Sequence, residues 1–158
     1  VLGLTATRSV RAGQVDSCAL STTGSARCCG QAGSGQLGFA PDQGWQISLV
    51  PVSVPTDQLA DIAVGLGHIC ALRQDGSVWC WGANQYGQLG RGTAGDSDSV
   101  PAAVPLPAAA VEVASGGFHS CARVADQRTY CWGWNGYGQI GNGSESDQEL
   151  VPVEIALP

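Results

Sequence analysis

The sequence predicts an all-β protein made of three similar four-stranded units, and three observations support this. Glycine and proline are frequent, with 23 and 8 residues, while only 13% of the residues are charged. Such a composition favours short strands joined by turns. Six of the seven cysteines form three pairs with a spacing of 10, and the first members of the pairs recur after 52 and 51 positions. This regular recurrence indicates a structural repeat.

Each unit contains four short segments of β type, in the same order. The first is "SVRAG", "DIAVG" or "EVASG", and the second is "DSCAL", "HICAL" or "HSCAR". The third is "ARCCG", "VWCWG" or "TYCWG", and the fourth is "VPVSV", "VPAAV" or "VPVEI". Four antiparallel strands per unit of this length are typical of a β-propeller blade. We therefore predict one propeller-type domain over 1–158, with units at about 9–60, 61–111 and 112–158.

The stretch "GSGQLG", residues 33–38, matches the glycine pattern of dinucleotide-binding sites. Such a site needs a preceding strand and a following helix, whose N-terminus carries the pyrophosphate. Here prolines follow, and "QYGQLG" and "GYGQIG" occupy the same place in the other units. We therefore expect Gly35 and Gly38 to occupy turn positions that need positive φ or close backbone approach, and Gly33, Gly35 and Gly38 to bind no nucleotide.

The second unit, "GLGHICALRQDGSVWCWGANQYGQLGRG", resembles the repeat of the regulator of chromosome condensation family. The third unit keeps most of the pattern. The first unit departs from it at Asp16, Cys29 and Ser34, where the others have His, Trp and Tyr. The resemblance implies a seven-bladed propeller in a single chain. Because closed propellers have about four to eight blades, we expect oligomerisation or further repeats to complete this partial propeller.

The cysteine pairs predict three disulfides within hairpins. Each pair is symmetric about a turn, and directly opposed residues of antiparallel strands lie about 4.5 to 5.5 Å apart. The predicted bridges are Cys18–Cys28, Cys70–Cys80 and Cys121–Cys131. Metal binding by these residues is the alternative, although the usual C-x₂-C spacing of zinc sites is missing. Oxidised cysteines indicate an exported protein, extracellular or at the cell surface.

Cys29 remains unpaired, which leaves a buried thiol or a link between chains open. His68 and His119 recur at one repeat position, so we expect them to be hydrogen-bonded inside the blades. The acidic loops with Asp96, Asp98, Glu145, Asp147 and Glu149 are expected to be solvated, with calcium as the alternative. Trp45 and Trp134 do not recur, which makes them candidate interaction residues.

Charge and hydropathy exclude several classes of function. The formal net charge is −6 and the seven arginines are scattered, so we expect no nucleic-acid partner. No run of 18 apolar residues exists to span a membrane. Met is absent, so processing or excerption from a longer chain is expected to account for the N-terminus. We expect no metal, no cofactor and no catalytic residues.

The predicted function is therefore protein–protein interaction by a non-enzymatic, secreted or surface-exposed propeller. Similar proteins of the family act by protein contact, the founding type on a small nuclear GTPase and bacterial relatives as β-lactamase inhibitors. Neither activity can be assigned to particular residues of this sequence. The alternative is a self-assembling structural subunit, in which copies of the chain form a homo-oligomer or a filament.

Overall fold

The computed structural model describes residues 6–39, 47–144 and 146–155, and their regular structure consists of twelve β-strands and no helix. The first sheet contains β1 (Thr7–Ala12), β2 (Asp16–Ser21), β3 (Ala26–Gln31) and β4 (Ile47–Ser53). The second contains β5 (Leu59–Val64), β6 (His68–Arg73), β7 (Val78–Asn84) and β8 (Gly95–Ala103). The third contains β9 (Ala110–Ser115), β10 (His119–Val124), β11 (Thr129–Trp134) and β12 (Gln148–Ile155). Each sheet is antiparallel, with its strands in chain order. The predicted all-β class and the three four-stranded sheets are confirmed.

Local chemistry explains the hairpin at the centre of the second sheet. In the second sheet, the Asp75 carboxylate accepts hydrogen bonds from the backbone N–H of Ser77 (2.9 Å) and from its hydroxyl (2.6 Å). Gly76 between them has a φ of 82°, which glycine adopts without a steric penalty. This turn sets the register that places Cys70 opposite Cys80.

The sheets meet along their first strands. β5 contacts both β1 and β9, and the fourth strands lie at the opposite edges of their sheets. Each fourth strand carries a proline, which lacks a backbone N–H and discourages further strand pairing. These prolines are Pro51, Pro101 and Pro152.

Two hydrophobic clusters fill the spaces between neighbouring sheets. The first joins residues such as Leu20 and Leu37 of the first sheet's region to Ile62 and Trp81 of the second. The other joins Cys70, Cys80 and Leu89 to Val113 and Trp132 of the third sheet. Every unit therefore shares its core with its neighbour, as expected for stacked repeats.

A tryptophan connects each later sheet to the turn of the preceding one. The indole N–H of Trp81 donates to the backbone carbonyl of Gln36 at 2.8 Å, and that of Trp132 donates to Gln88 at 2.9 Å. Both rings are fully buried. We call this contact the indole–turn bond. In the first sheet the corresponding position holds Cys29.

Candidate interaction site

Four aromatic rings form a cluster at the end of the second and third sheets. Trp134 is the central ring, with its centroid 5.8 Å from that of Tyr86, 6.0 Å from Phe118 and 5.0 Å from Tyr137. Tyr86 and Phe118 are 5.2 Å apart. Tyr137 is 86% exposed and Tyr86 is 38% exposed, so solvent reaches the cluster from outside.

Turns with fixed geometry hold the two tyrosines. Tyr86 and Tyr137 occupy equivalent positions, in the turns that follow β7 and β11. The side-chain carbonyl of Gln88 accepts the backbone N–H of Tyr86 at 2.8 Å, and Gln139 accepts that of Tyr137 at 2.9 Å. Backbone positions are therefore set before any partner binds, which lowers the ordering cost of association.

The junction between the first and second sheets lacks these aromatic rings. Ser34, Gly67 and Ala83 stand at the positions that Tyr86, Phe118 and Trp134 occupy in the next repeat. A Cβ placed on Gly67 would lie 3.3 Å from the Ala83 Cβ and 3.4 Å from the Ser34 Oγ. The same junction is thus built from small side chains, so repeat packing does not require the aromatic cluster.

Acidic side chains lie beside the cluster on β12 and in the loop before it. Gln148 pairs with Trp134 across the sheet, and the neighbouring Asp147 is exposed. The Glu149 carboxylate accepts hydrogen bonds from Asn142 and Ser146, and Asp98 pairs with Arg91 at 3.1 Å. The part of the chain that the structure describes contains no group of three or more His, Cys, Asp or Glu that could hold a metal ion. Glu145 lies outside that part.

The glycines of the three G-Q-L-G or G-Q-I-G turns have the predicted conformation. Gly35 and Gly38 have φ values of 74° and 86°, and Gly87 and Gly90 have values of 73° and 68°, which confirms positive φ. The N–H groups of Gly35 and Gly38 donate to Ala32 and Gly35 within the turn. Since these donors are already used, a pyrophosphate would have to break the turn to bind. The absence of nucleotide binding stays a prediction.

The six repeated cysteines form the disulfides Cys18–Cys28, Cys70–Cys80 and Cys121–Cys131 in the structure. Each bridges directly opposed residues of a central hairpin. Cys29 is a free, half-buried thiol. Cys29 occupies the repeat position at which Trp81 and Trp132 make the indole–turn bond. In the second and third units this position faces the preceding unit.

His68 is buried between the second and third sheets, where its Nε2 shares a 2.8 Å hydrogen bond with the Ser120 hydroxyl. Burial lowers the pKa of His68 to about 4, and the neighbouring His119 acts in the same direction. Asp16 occupies the same repeat position in the first sheet, and burial raises the pKa of its carboxyl to about 6. The Ser120 hydroxyl is fully buried, so this serine and histidine lie out of reach of a substrate.

The structure brings Trp134 into the aromatic cluster, whereas Trp45 lies outside the described residues. Sequence reasoning missed Tyr86, Phe118 and Tyr137 as neighbours of Trp134. Phe118 carried a signal, because it departs from the glycine and valine at the equivalent positions 67 and 15. Phe118 and Trp134 both depart from the repeat and lie at the same end of adjacent strands, so a contact between them could have been predicted.

Comparison with known proteins identifies the repeat. The family model described as Regulator of chromosome condensation (RCC1) repeat matches residues 75–123 and 126–158. The mitochondrial RCC1 domain-containing protein RUG3 of Arabidopsis thaliana is 35% identical over 135 residues, covering 78% of this chain and 29% of that protein. The human regulator of chromosome condensation is 34% identical over 131 residues, covering 81% of this chain and 31% of that protein.

A solved structure shares the fold. Prp20p of Saccharomyces cerevisiae, described together with its binding properties to Gsp1p and histones, superposes with a TM-score of 0.86 at 21% identity. The superposition covers 98% of this chain and 39% of Prp20p. This similarity confirms that the three sheets are propeller blades. The chain spans less than half the length of each of these three proteins. Among the described residues, no helix has the length and apolar character needed to cross a membrane.

Proposed function

This chain belongs to the regulator of chromosome condensation repeat family, and from that premise we propose that it functions by binding another protein through the aromatic cluster. Prp20p, which has the same fold, is described with Gsp1p and histones as binding partners. Propellers present loops from several blades on one rigid end. The cluster lies at such an end, where Tyr86, Phe118, Trp134 and Tyr137 come from two blades.

One observation supports this proposal above the others. The fold builds the same junction once with Ser34, Gly67 and Ala83, and once with three aromatic residues plus the exposed Tyr137. Tyrosine and tryptophan have few rotatable bonds, so burying their rings in an interface costs little side-chain entropy. They are therefore enriched among the residues that dominate binding energy. Aromatic rings that packing does not need, on an accessible end, suit a protein-binding surface.

The test uses substitutions that the chain itself carries at equivalent repeat positions. Trp134→Ala introduces the residue found at position 83, and Tyr137→Ser introduces the residue found at position 34. Candidate partners are captured on the immobilised chain and identified, and the Kd of each purified partner is then measured by calorimetry. We expect either variant to weaken a genuine partner by about 30-fold or more, in line with about 2 kcal/mol for a dominant interface residue.

The matched control is Leu49→Ser, because Leu49 is 90% exposed but lies on β4, at the edge of the first sheet. This variant should keep the partner's affinity within about twofold. Thermal unfolding of all three variants checks that the fold is intact. Unchanged affinity of every captured partner for the Trp134→Ala and Tyr137→Ser variants would contradict the proposal.

We also propose that the protein is not an enzyme. The contact that most resembles a catalytic pair, between His68 and Ser120, is sealed inside the junction of two sheets. A nucleophile and base need access to the substrate as well as proximity to each other.

The proposed location is an oxidising one, either extracellular or at the cell surface. Three disulfides within hairpins would be reduced by cytosolic thiols and persist in exported proteins. The family includes a mitochondrial protein, RUG3, so family membership alone carries no argument for export.

A second candidate function is self-assembly into an oligomer or filament. The turn at Gly138 and Gly141 has φ values of 70° and 75°, like the turns that accept indoles. No described atom lies within 4 Å of a Cβ placed on either glycine, whereas a Cβ on Gly90 would meet the Trp132 ring. The face of the third sheet thus has the shape that receives another unit, and a second copy of the chain could supply that unit.

A further inference from the structure

A solvent-open pocket of about 230 Å³, called the cavity below, lies where the first strands of the three sheets converge, and Arg8 at its rim is exposed. Its lining includes Arg8, Ser9 and Arg11 from β1, Ala60 and Asp61 from β5, and Val111 from β9. The volume is well above the roughly 30 Å³ that one water occupies in the liquid. It therefore has room for a small ion with its hydration waters.

A β-bulge in each first strand places one residue in this cavity. The pairing registers shift between Thr7 and Ser9, between Leu59 and Asp61, and between Ala110 and Glu112. The residues skipped by the pairing are Arg8, Ala60 and Val111, which occupy the same repeat position. A bulge leaves its extra residue out of the ladder and redirects its side chain. In the second and third sheets the redirected side chain is aliphatic, and only in the first sheet is it a cation.

The charges that line the cavity leave it with an excess of one positive charge. Arg11 and Asp61 neutralise each other through a two-point ion pair, with distances of 2.8 and 3.0 Å from the Arg11 Nη2 to the two carboxylate oxygens. Asp61 also accepts the backbone N–H of Ile62 at 2.8 Å. Arg8 has no ion pair or hydrogen bond within the described ranges, whereas five other arginines pair with carboxylates.

We infer that this cavity binds a small oxyanion, a phosphate or carboxylate group, through the Arg8 guanidinium, with Ser9 and Arg11 beside it. A guanidinium presents paired N–H donors that match two oxygens of either group. The net charge of −6 repels anions in general, so binding here has to come from local contacts with the guanidinium. The hydroxyl of Ser9 supplies a neutral donor on the same strand. This site is separate from the aromatic cluster and does not depend on the proposed function.

The test is a titration of the full chain with sodium phosphate and, in a parallel arm, with sodium acetate, at constant ionic strength. The arginine side-chain N–H signals in nitrogen-15 NMR report binding locally. We expect saturable shifts at Arg8 and Arg11, and a Kd weakened about tenfold by Arg8→Gln. Asp61→Asn raises the excess charge to two and should tighten binding. Saturation by phosphate alone assigns the ligand to phosphate groups, and saturation by acetate extends it to carboxylates.

Arg128→Gln is the control, because Arg128 is an exposed arginine outside the cavity, paired with Asp126 and Glu154. It should leave both titrations unchanged. The inference is overturned if neither anion saturates the signals of the wild-type chain. It is equally overturned if Arg8→Gln and Arg128→Gln weaken binding alike, since the effect would then reflect net charge only.

Discussion

At the scale of single residues, one repeat position carries two groups that respond to pH in opposite ways. Asp16 has a pKa raised by burial to about 6, so its contribution to stability is greatest below its unfolded pKa of 3.8 and is lost as the pH rises through 6. His68 has a pKa lowered by burial to about 4, so its contribution is present above 6.5 and is lost as the pH falls through 4. The two pH ranges overlap between about 4 and 6, and within this range the effects of Asp16 and His68 on stability oppose each other.

Asp16→Asn is therefore expected to increase the free energy of unfolding at pH 7.5 by about 1–3 kcal/mol, because a buried carboxylate no longer has to be charged. The gain should disappear below about pH 4. In the wild type, protonation of Asp16 offsets the stability that is lost when the pH falls below the unfolded pKa of His68 and His119. Without Asp16 this compensation is gone, so the free energy of unfolding of the variant should fall more steeply on acidification from pH 6.5 to 4. Urea unfolding at a series of pH values measures both effects.

Asp75→Asn is the comparison for this experiment. Hydrogen bonds from Ser77 lower the pKa of the exposed Asp75, so its contribution to stability is lost as the pH falls. The pH dependence of its effect should have the opposite sign to that of Asp16→Asn. Parallel stability profiles for the wild type and Asp16→Asn at every pH would show that burial does not raise the Asp16 pKa.

At the scale of secondary-structure elements, the hairpins offer a comparison in which the length of the closed loop is constant and burial differs. Non-reducing peptide mapping of the native protein should find the three hairpin disulfides and a free Cys29. Replacing either Cys70 and Cys80 or Cys121 and Cys131 by alanine opens a loop of the same length, for which the chain-entropy model gives about 2–3 kcal/mol. Cys70 and Cys80 are both fully buried in the core, whereas Cys121 is half-buried. We expect replacement of Cys70 and Cys80 to lower the free energy of unfolding by at least about 1 kcal/mol more than replacement of Cys121 and Cys131, because it also leaves a cavity in the core.

The measurement is the difference in free energy of unfolding between the two alanine pairs under oxidising conditions. Reduced wild-type protein serves as the reference for the loss of all three bridges. Equal destabilisation by the two pairs would show that loop closure alone accounts for the effect.

The same elements show what a sequence can predict. The hairpins could be predicted because cysteines 10 positions apart and a central turn are local information. The aromatic cluster could not, because Tyr86 and Phe118 meet Trp134 only through packing between two sheets. The bulges at Arg8, Ala60 and Val111 depend on pairing register, which leaves no mark in the composition of the strands.

At the scale of the whole molecule, the first sheet presents Cys29 where the other sheets present a buried tryptophan. If copies associate with the third sheet of one against the first sheet of the next, this junction lacks the indole–turn bond. We expect light scattering at micromolar concentration to give a mass above the 16.1 kDa of the monomer. Cys29→Trp should tighten association about threefold to tenfold, since the added indole N–H can reach the turn at Gln139.

Cys29→Ser is the matched control, because it removes the thiol without supplying an indole. Loss of the larger species with Cys29→Ser alone would assign association to a disulfide between chains. A monodisperse wild-type particle of 16.1 kDa, unaltered in mass by Cys29→Trp, would refute assembly through these faces.

The indole–turn bond also bears on how such a protein can gain or lose length over evolutionary time. The donors Trp81 and Trp132 face backward along the chain, and the acceptors Gln36 and Gln88 are backbone carbonyls that any residue would provide. A recombination event that duplicates or deletes the second or third repeat therefore joins an indole donor to a backbone acceptor at the new boundary. No substitution is needed to keep this bond at the new boundary, so a single genetic step can change the number of repeats without losing the bond.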